Sequence, residues 1–176
     1  RVLGDNFAEE IRKTTTEKYP ERIAIIGAGP AGLAAANDLA LLGYSCTIFE
    51  SNATPGGMLR MGVPPYRLPR KAIDNDVEFI KKLGVEIQYN TTLGTDITFD
   101  RLEKDGFAVI FIGVGLLESR TLNIEGVQLE GVLKGVSFLN EVNTTGSARI
   151  GKNVLVIGGG AVAMDCARTA LRLKPN

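Results

Sequence analysis

The sequence predicts an α/β fold: a doubly wound parallel sheet, followed by the first βα unit of a second domain of the same kind. Three observations lead there. Short apolar runs rich in β-branched residues alternate with longer Ala/Leu-rich or amphipathic stretches. Glycine punctuates almost every junction between them. The strand-turn-helix pattern that opens the chain returns near its end.

Taken in order, residues 5–18 read as a short connector helix, with Phe7 and Ile11 four apart and the run Thr14-Thr15-Thr16 weakening it. The run 23–26 is a strand ending in glycine, and 30–42 is a helix closed by Gly43. A second strand, 45–49, ends at Glu50; 68–83 has helical spacing through Ile73, Val77 and Ile80 and ends at Gly84. A third strand follows at 85–89. Between the second strand and that helix lies SNATPGGMLRMGVPPYRLPR, whose prolines and glycines forbid regular structure over most of its length. Long loops in compact domains are usually functional. Residues 107–112 form another strand running into Gly113-Val114-Gly115, 133–142 a helix, and 153–157 with 161–173 repeat the opening strand-turn-helix. The expected boundaries are a connector at 1–20, a first domain at 21–148 and the start of a second at 149–176.

The 176 residues are 44% hydrophobic and 23% charged, enough for one well-buried domain and a small second one. Twenty basic and twenty acidic residues cancel without long runs of one sign, so neither nucleic acid nor an anionic membrane is an expected partner. The longest stretch without strongly polar residues, 23–36, is too short and too rich in Gly and Pro to span a membrane, and no signal-peptide pattern is visible. A cytoplasmic location is the expectation. Two cysteines, Cys46 and Cys166, cannot make an iron-sulfur ligand set or a CxxC pair, and we read both as core residues. No histidine is present, so no histidine acid-base catalyst or metal ligand exists. No catalytic side chain and no metal site is expected; a cofactor must carry most of any chemistry.

IAIIGAGPAG places Gly27, Gly29 and Gly32 in GxGxxG spacing between a strand and a helix. Pro30 sits where the first helical residue tolerates losing its N–H, and Glu50 closes the next strand 23 residues after Gly27. This is the dinucleotide fingerprint of a Rossmann-like sheet. Gly27 permits the tight turn, Gly29 lets a pyrophosphate approach the backbone, and Gly32 lets the helix pack on the strand. The helix N-terminus offers N–H groups and a positive dipole to phosphates. Glu50 suits ribose hydroxyls or, on the bland reading, is a solvated strand-end carboxylate.

GAGPAGLAAANDLALLGY, FE, GGMLRMGVPPYRLPR, VIFIGVG, LNIEGVQLEGV and GGGAVAMDCARTALR together resemble the small subunit of NADPH-dependent glutamate synthase and its relatives. Those include the flavin domains of dihydropyrimidine dehydrogenase and of ferredoxin-linked transhydrogenases. The resemblance implies FAD held at Gly27, Ala28, Gly29, Pro30, Ala31 and Gly32, with Glu50 on its ribose. It further implies Gly57, Met58 and Arg67 along the cofactor, Leu93 near the adenine, and Gly113 and Gly115 at a second strand-end contact. Arg67 would suit a phosphate oxygen. The sequence departs from the family at Ala108 and Ala161. The implied activity is NAD(P)H oxidation through flavin, with electrons passing to iron-sulfur centres in another region or partner, beside a larger catalytic subunit.

Gly158, Gly160 and Ala163 give a second fingerprint, GxGxxA, 131 residues after the first, with Ala161 inside it. In the resembling family it opens the NAD(P)H domain. A mononucleotide half needs βαβαβ, and only its first β and α precede Asn176. We therefore read the chain as a segment of a longer protein, in which 149–176 either starts a nucleotide site or serves structurally, its strand completing the first sheet. The rival functions are a catalytically idle nucleotide-binding or docking module and a simple NAD dehydrogenase.

Overall fold

The computed structural model describes residues 7, 10, 11, 19–116, 118, 119 and 121–173. Of the expected connector helix, Phe7, Glu10 and Ile11 are helical, and the Phe7 ring stacks on Phe79 at 6.5 Å between centroids. The rest of the helix expected at 5–18 lies outside the described residues; Tyr19 and Pro20, at the end of the expected connector, are not helical.

Four strands form one parallel sheet: β1 (Arg22–Ile26), β2 (Ser45–Phe49), β3 (Glu86–Gln88) and β4 (Phe107–Ile112), in the order β3-β2-β1-β4. β1 is central because its neighbours lie on both sides, β2 in register from Arg22 opposite Ser45, and β4 from Ile23 opposite Val109. Side chains alternate along each strand. Ile23 and Ile25 point to one face, against which α1 (Pro30–Leu42) packs; α3 (Arg70–Lys82) packs beside α1 and buries Ile73, Val77 and Ile80. Ala24 and Ile26 point to the other, where they join Phe49, Phe107 and Leu102.

Leu102 belongs to α4 (Phe99–Lys104), a helix that the sequence reading left out. Thr98 caps it, its hydroxyl accepting from the Arg101 amide at 3.2 Å. The helix buries one apolar residue, Leu102, which is 1% exposed, and that burial adds to the cap in holding so short a helix. α1 ends as expected, Gly43 taking a left-handed φ of 100° that lets its N–H reach Ala40.

The chain divides into two compact units. One runs up to Gly57 and resumes over Arg70–Gly115; the other comprises Met58–Pro69 and the chain from Leu116 onward. In the second, α5 (Gly135–Thr145) packs on α6 (Ala161–Leu173) through Phe138, Leu139, Cys166 and Ala170, with Val142, Ile150 and Val156 at the edge. Gly135 makes the close approach possible, since a Cβ there would stand 3.2 Å from the Cys166 sulfur. α2 (Met58–Met61) is a single helical turn within the loop expected to be irregular, and Asn143 of α5 donates to the Met61 carbonyl at 2.7 Å.

One expected element does not form. Residues 153–157 make no ladder and do not complete the sheet; Leu155 is 87% and Ile157 69% exposed. The apolar run has strand propensity, but a strand exists only by hydrogen bonding to a neighbour, and among the described residues none lies alongside it.

Candidate functional site

The switch point of the sheet lies at β1, whose neighbours β2 and β4 are reached in opposite directions, and in open α/β sheets ligands bind beyond the strand ends at that point. Gly27 leaves β1 with φ 101°, and its N–H donates to the Phe49 carbonyl at 2.8 Å. A Cβ on Gly27 would stand 2.6 Å from the Gly113 carbonyl oxygen, so no side chain fits between the ends of β1 and β4. Gly113 in turn donates its N–H to Ile26 at 2.8 Å, locking the two strand ends together. Gly32 packs so tightly on the turn that a Cβ would drive into the Gly27 carbonyl.

Gly29 differs from these. Its φ of −76° is ordinary, and a Cβ there would meet only Gly57 Cα, at 4.0 Å. Gly57 lies above it with φ 49°, and the Gly56 amide donates to Ala28 at 2.8 Å. Two glycine turns distant in sequence are thus brought face to face. No side chain caps α1, whose N-cap is Gly29 itself, with exposed Pro30 and Ala31 leading into the first turn. The first N–H groups of a helix have no partner within it, so this end presents donors and the positive end of the dipole.

Glu50 is 4% exposed, far from a solvated strand-end carboxylate. Its Oε2 accepts from the Ala28 amide at 2.7 Å; its Oε1 accepts from the Asn52 amide at 2.8 Å and the Asn52 side chain at 2.7 Å. The carboxylate braces the glycine turn from below. Oε2 keeps acceptor capacity for a further donor such as a hydroxyl. Asn52, and this bracing role, were missed from sequence, although an amide two residues after a strand-end acid is a local signal for such a turn. Leu93 is half-buried, packing against the Ala24/Ile26 cluster, and Gly115 has φ 72° with open space around it.

In the other unit, Met58 begins α2, and Arg67 donates from Nη1 to Asp165 Oδ2 at 2.6 Å. The one local sequence signal for Asp165 is that it is the sole carboxylate in AVAMDCARTALRL. Gly158, with φ 122°, turns the chain into α6, while Gly160 and Ala161 are exposed and Ala163 stands 3.5 Å from a Cβ placed on Gly158.

Cys46 and Cys166 are both free and buried. Burial pushes the Cys46 thiol up to about 11 and raises Cys166 as well, the charge of Asp165 adding to the latter. Neither is a ready thiolate nucleophile. Among the described residues there is no cluster of three metal-ligating side chains, and no helix is long and apolar enough to cross a membrane.

Residues 21–176 match the pyridine nucleotide-disulphide oxidoreductase family. The chain is 46% identical over 175 residues to the NADP(+)-dependent formate dehydrogenase subunit beta of Moorella thermoacetica, covering 98% of this chain and 24% of that protein. It is 38% identical over 161 residues to a putative glutamate synthase [NADPH] small chain of Cereibacter sphaeroides, covering 86% of this chain and 39% of that one. Among solved structures, Mycobacterium tuberculosis FprA in complex with NADPH superposes with a TM-score of 0.72 at 31% identity, over 85% of this chain and 36% of FprA. The chain therefore spans well under half the length of these relatives. Two glycine turns at the end of a central parallel strand, a braced carboxylate below them and this breadth of match have one reading: the chain belongs to the pyridine nucleotide-disulphide oxidoreductase family.

Proposed function

We propose that the chain is the FAD-binding part of an NAD(P)H-dependent oxidoreductase. The observation that carries this reading is the opposition of Gly29 and Gly57 over an uncapped helix N-terminus. A cradle that a side chain would fill, lined by backbone, suits a pyrophosphate. Gly27 to Gly32 would hold the phosphates, Glu50 Oε2 would accept from a ribose hydroxyl, and Gly115, with open space around it, would admit the rest of the molecule close to backbone, with Gly57 and Gly113 as further contacts. Leu93 is proposed near the adenine, and Met58 and Arg67 as further flavin contacts.

FAD supplies the hydride acceptor when bound. The chain's own residues bind and orient it and need not move a proton, which fits the absence of histidine from the sequence. Gly158, Gly160, Ala161 and Ala163 are proposed to take the nicotinamide nucleotide. The whole protein is proposed to be cytoplasmic and to pass electrons to iron-sulfur centres of another region or subunit. Relatives named as a subunit beta and a small chain support a partner subunit.

Titrating FAD and NAD against the chain under identical conditions tests the assignment, with FAD expected as the tighter ligand. Gly29→Ala keeps an ordinary backbone geometry yet fills the cradle. It should weaken FAD about tenfold, or ~1.4 kcal/mol, without loss of fold. Tighter NAD binding, or FAD affinity untouched by the substitution, overturns the reading.

A further inference from the structure

The twelve residues Met58–Pro69 are held far more firmly than an irregular surface loop requires. Arg67 donates to Asp165 at 2.6 Å. The neighbouring Tyr66 hydroxyl lies 3.5 Å from the Asp165 carbonyl oxygen, so consecutive loop residues engage both the side chain and the main chain of one helical residue. The Tyr66 ring is covered by two guanidinium groups one helical turn apart, Arg172 at 4.0 Å and Arg168 at 4.9 Å. Asn143 fixes the loop from α5 through the carbonyls of Met61 and Val63.

The Asp165 side chain is 8% exposed and that of Arg67 46%, so the carboxylate is the buried anchor and the guanidinium the half-free end. A buried charge is a poor source of stability, and its best use is to specify position. A guanidinium has five N–H donors in a fixed plane. Asp165 engages one of them and orients the remainder. Asp165 also stands two residues beyond Ala163, on the helix that the second glycine turn opens.

We propose that Asp165 is a positioning residue that fixes Arg67 and the loop 58–69 on α6, coupling the loop's position to occupation of the second glycine turn by an anionic dinucleotide. The coupling rests on reading Gly158 to Ala163 as a nucleotide site. An anion bound at the start of α6 stiffens the helix, and the Asp165 pair transmits this to the loop.

Amide hydrogen exchange on the full chain, with and without saturating NADP+, reads this directly. The reporters are Gly62 and Val63, bonded to the Met58 carbonyl, and Arg67 and Leu68, bonded to that of Pro64. Asp165→Asn should speed their exchange about tenfold and leave the β1 amides unchanged. NADP+ should slow the four amides in the parent chain and in Arg67→Lys, which keeps the charge, but not in Asp165→Asn. A purely structural pair would loosen the loop without erasing the nucleotide response. Should Asp165→Asn lose β1 protection through misfolding, Arg67→Gln removes the pair from its exposed end and carries the same expectation. NADP+ binding is measured separately by equilibrium dialysis. Binding without loop protection, or equal protection in both variants, overturns the coupling alone; absence of NADP+ binding overturns the nucleotide site and the coupling with it.

Discussion

Cys46 shows how one buried side chain makes stability depend on pH. Its thiol titrates near 9.0 when unfolded and near 11 in the fold, because burial in β2 penalises the thiolate. Below pH 9 both states hold the proton and the burial is fully favourable. Above it the unfolded chain ionises first, so stability falls by about 1.4 kcal/mol per pH unit until the folded pKa is reached. Urea midpoints at pH 8 and pH 10.5 should therefore differ more for the parent chain than for Cys46→Ala; equal differences would show that the thiol is not the titrating group. At this scale Gly27 and Gly32 were legible in sequence because each answers a steric demand that no other residue meets, Gly27 against the Gly113 carbonyl and Gly32 against that of Gly27, whereas the backbone at Gly29 would admit a Cβ. The partners of Glu50 and Arg67 were less so. Arg67 and Asp165 are 98 positions apart, and a single sequence carries no sign that they meet.

Among the elements, those that the sequence shows plainly are those with a periodic pattern and a glycine stop, α1 and α3 foremost. α4 was invisible because six residues give too little periodicity; only Thr98 and Leu102 betray it. Thr98→Ala removes the hydroxyl that accepts from Arg101 and should cost about 1 kcal/mol. In a protein of this size that lowers Tm by roughly 2–4 °C, measurable by calorimetry. A Tm shift of zero would mean that Leu102 alone holds the helix. The strand expected at 153–157 erred in the opposite sense: propensity was present and the neighbour was not.

For the whole molecule, charge and surface point the same way. Twenty acidic and twenty basic residues give no net charge, and the calculated isoelectric point is about 6.6. Large apolar side chains stay exposed in both units, Val109 and Ile112 in one and Leu116, Leu155 and Ile157 in the other. Apolar patches associate most readily when no net charge holds the copies apart. Sedimentation should therefore show the most self-association near pH 6.6 and less at pH 8.5; a pH-independent distribution would rule out this charge control.

The pairing of β1 with β4 sets a timetable for synthesis. Arg22 pairs with Phe107 and Ile26 with Ile112, so one edge of the central strand must wait for chain made some 85 residues later. At ribosomal rates of about 5–20 residues per second, that wait is roughly 4 to 17 s. During it, β1 can zip only to β2, and the half-built sheet presents an open edge to every other nascent chain nearby.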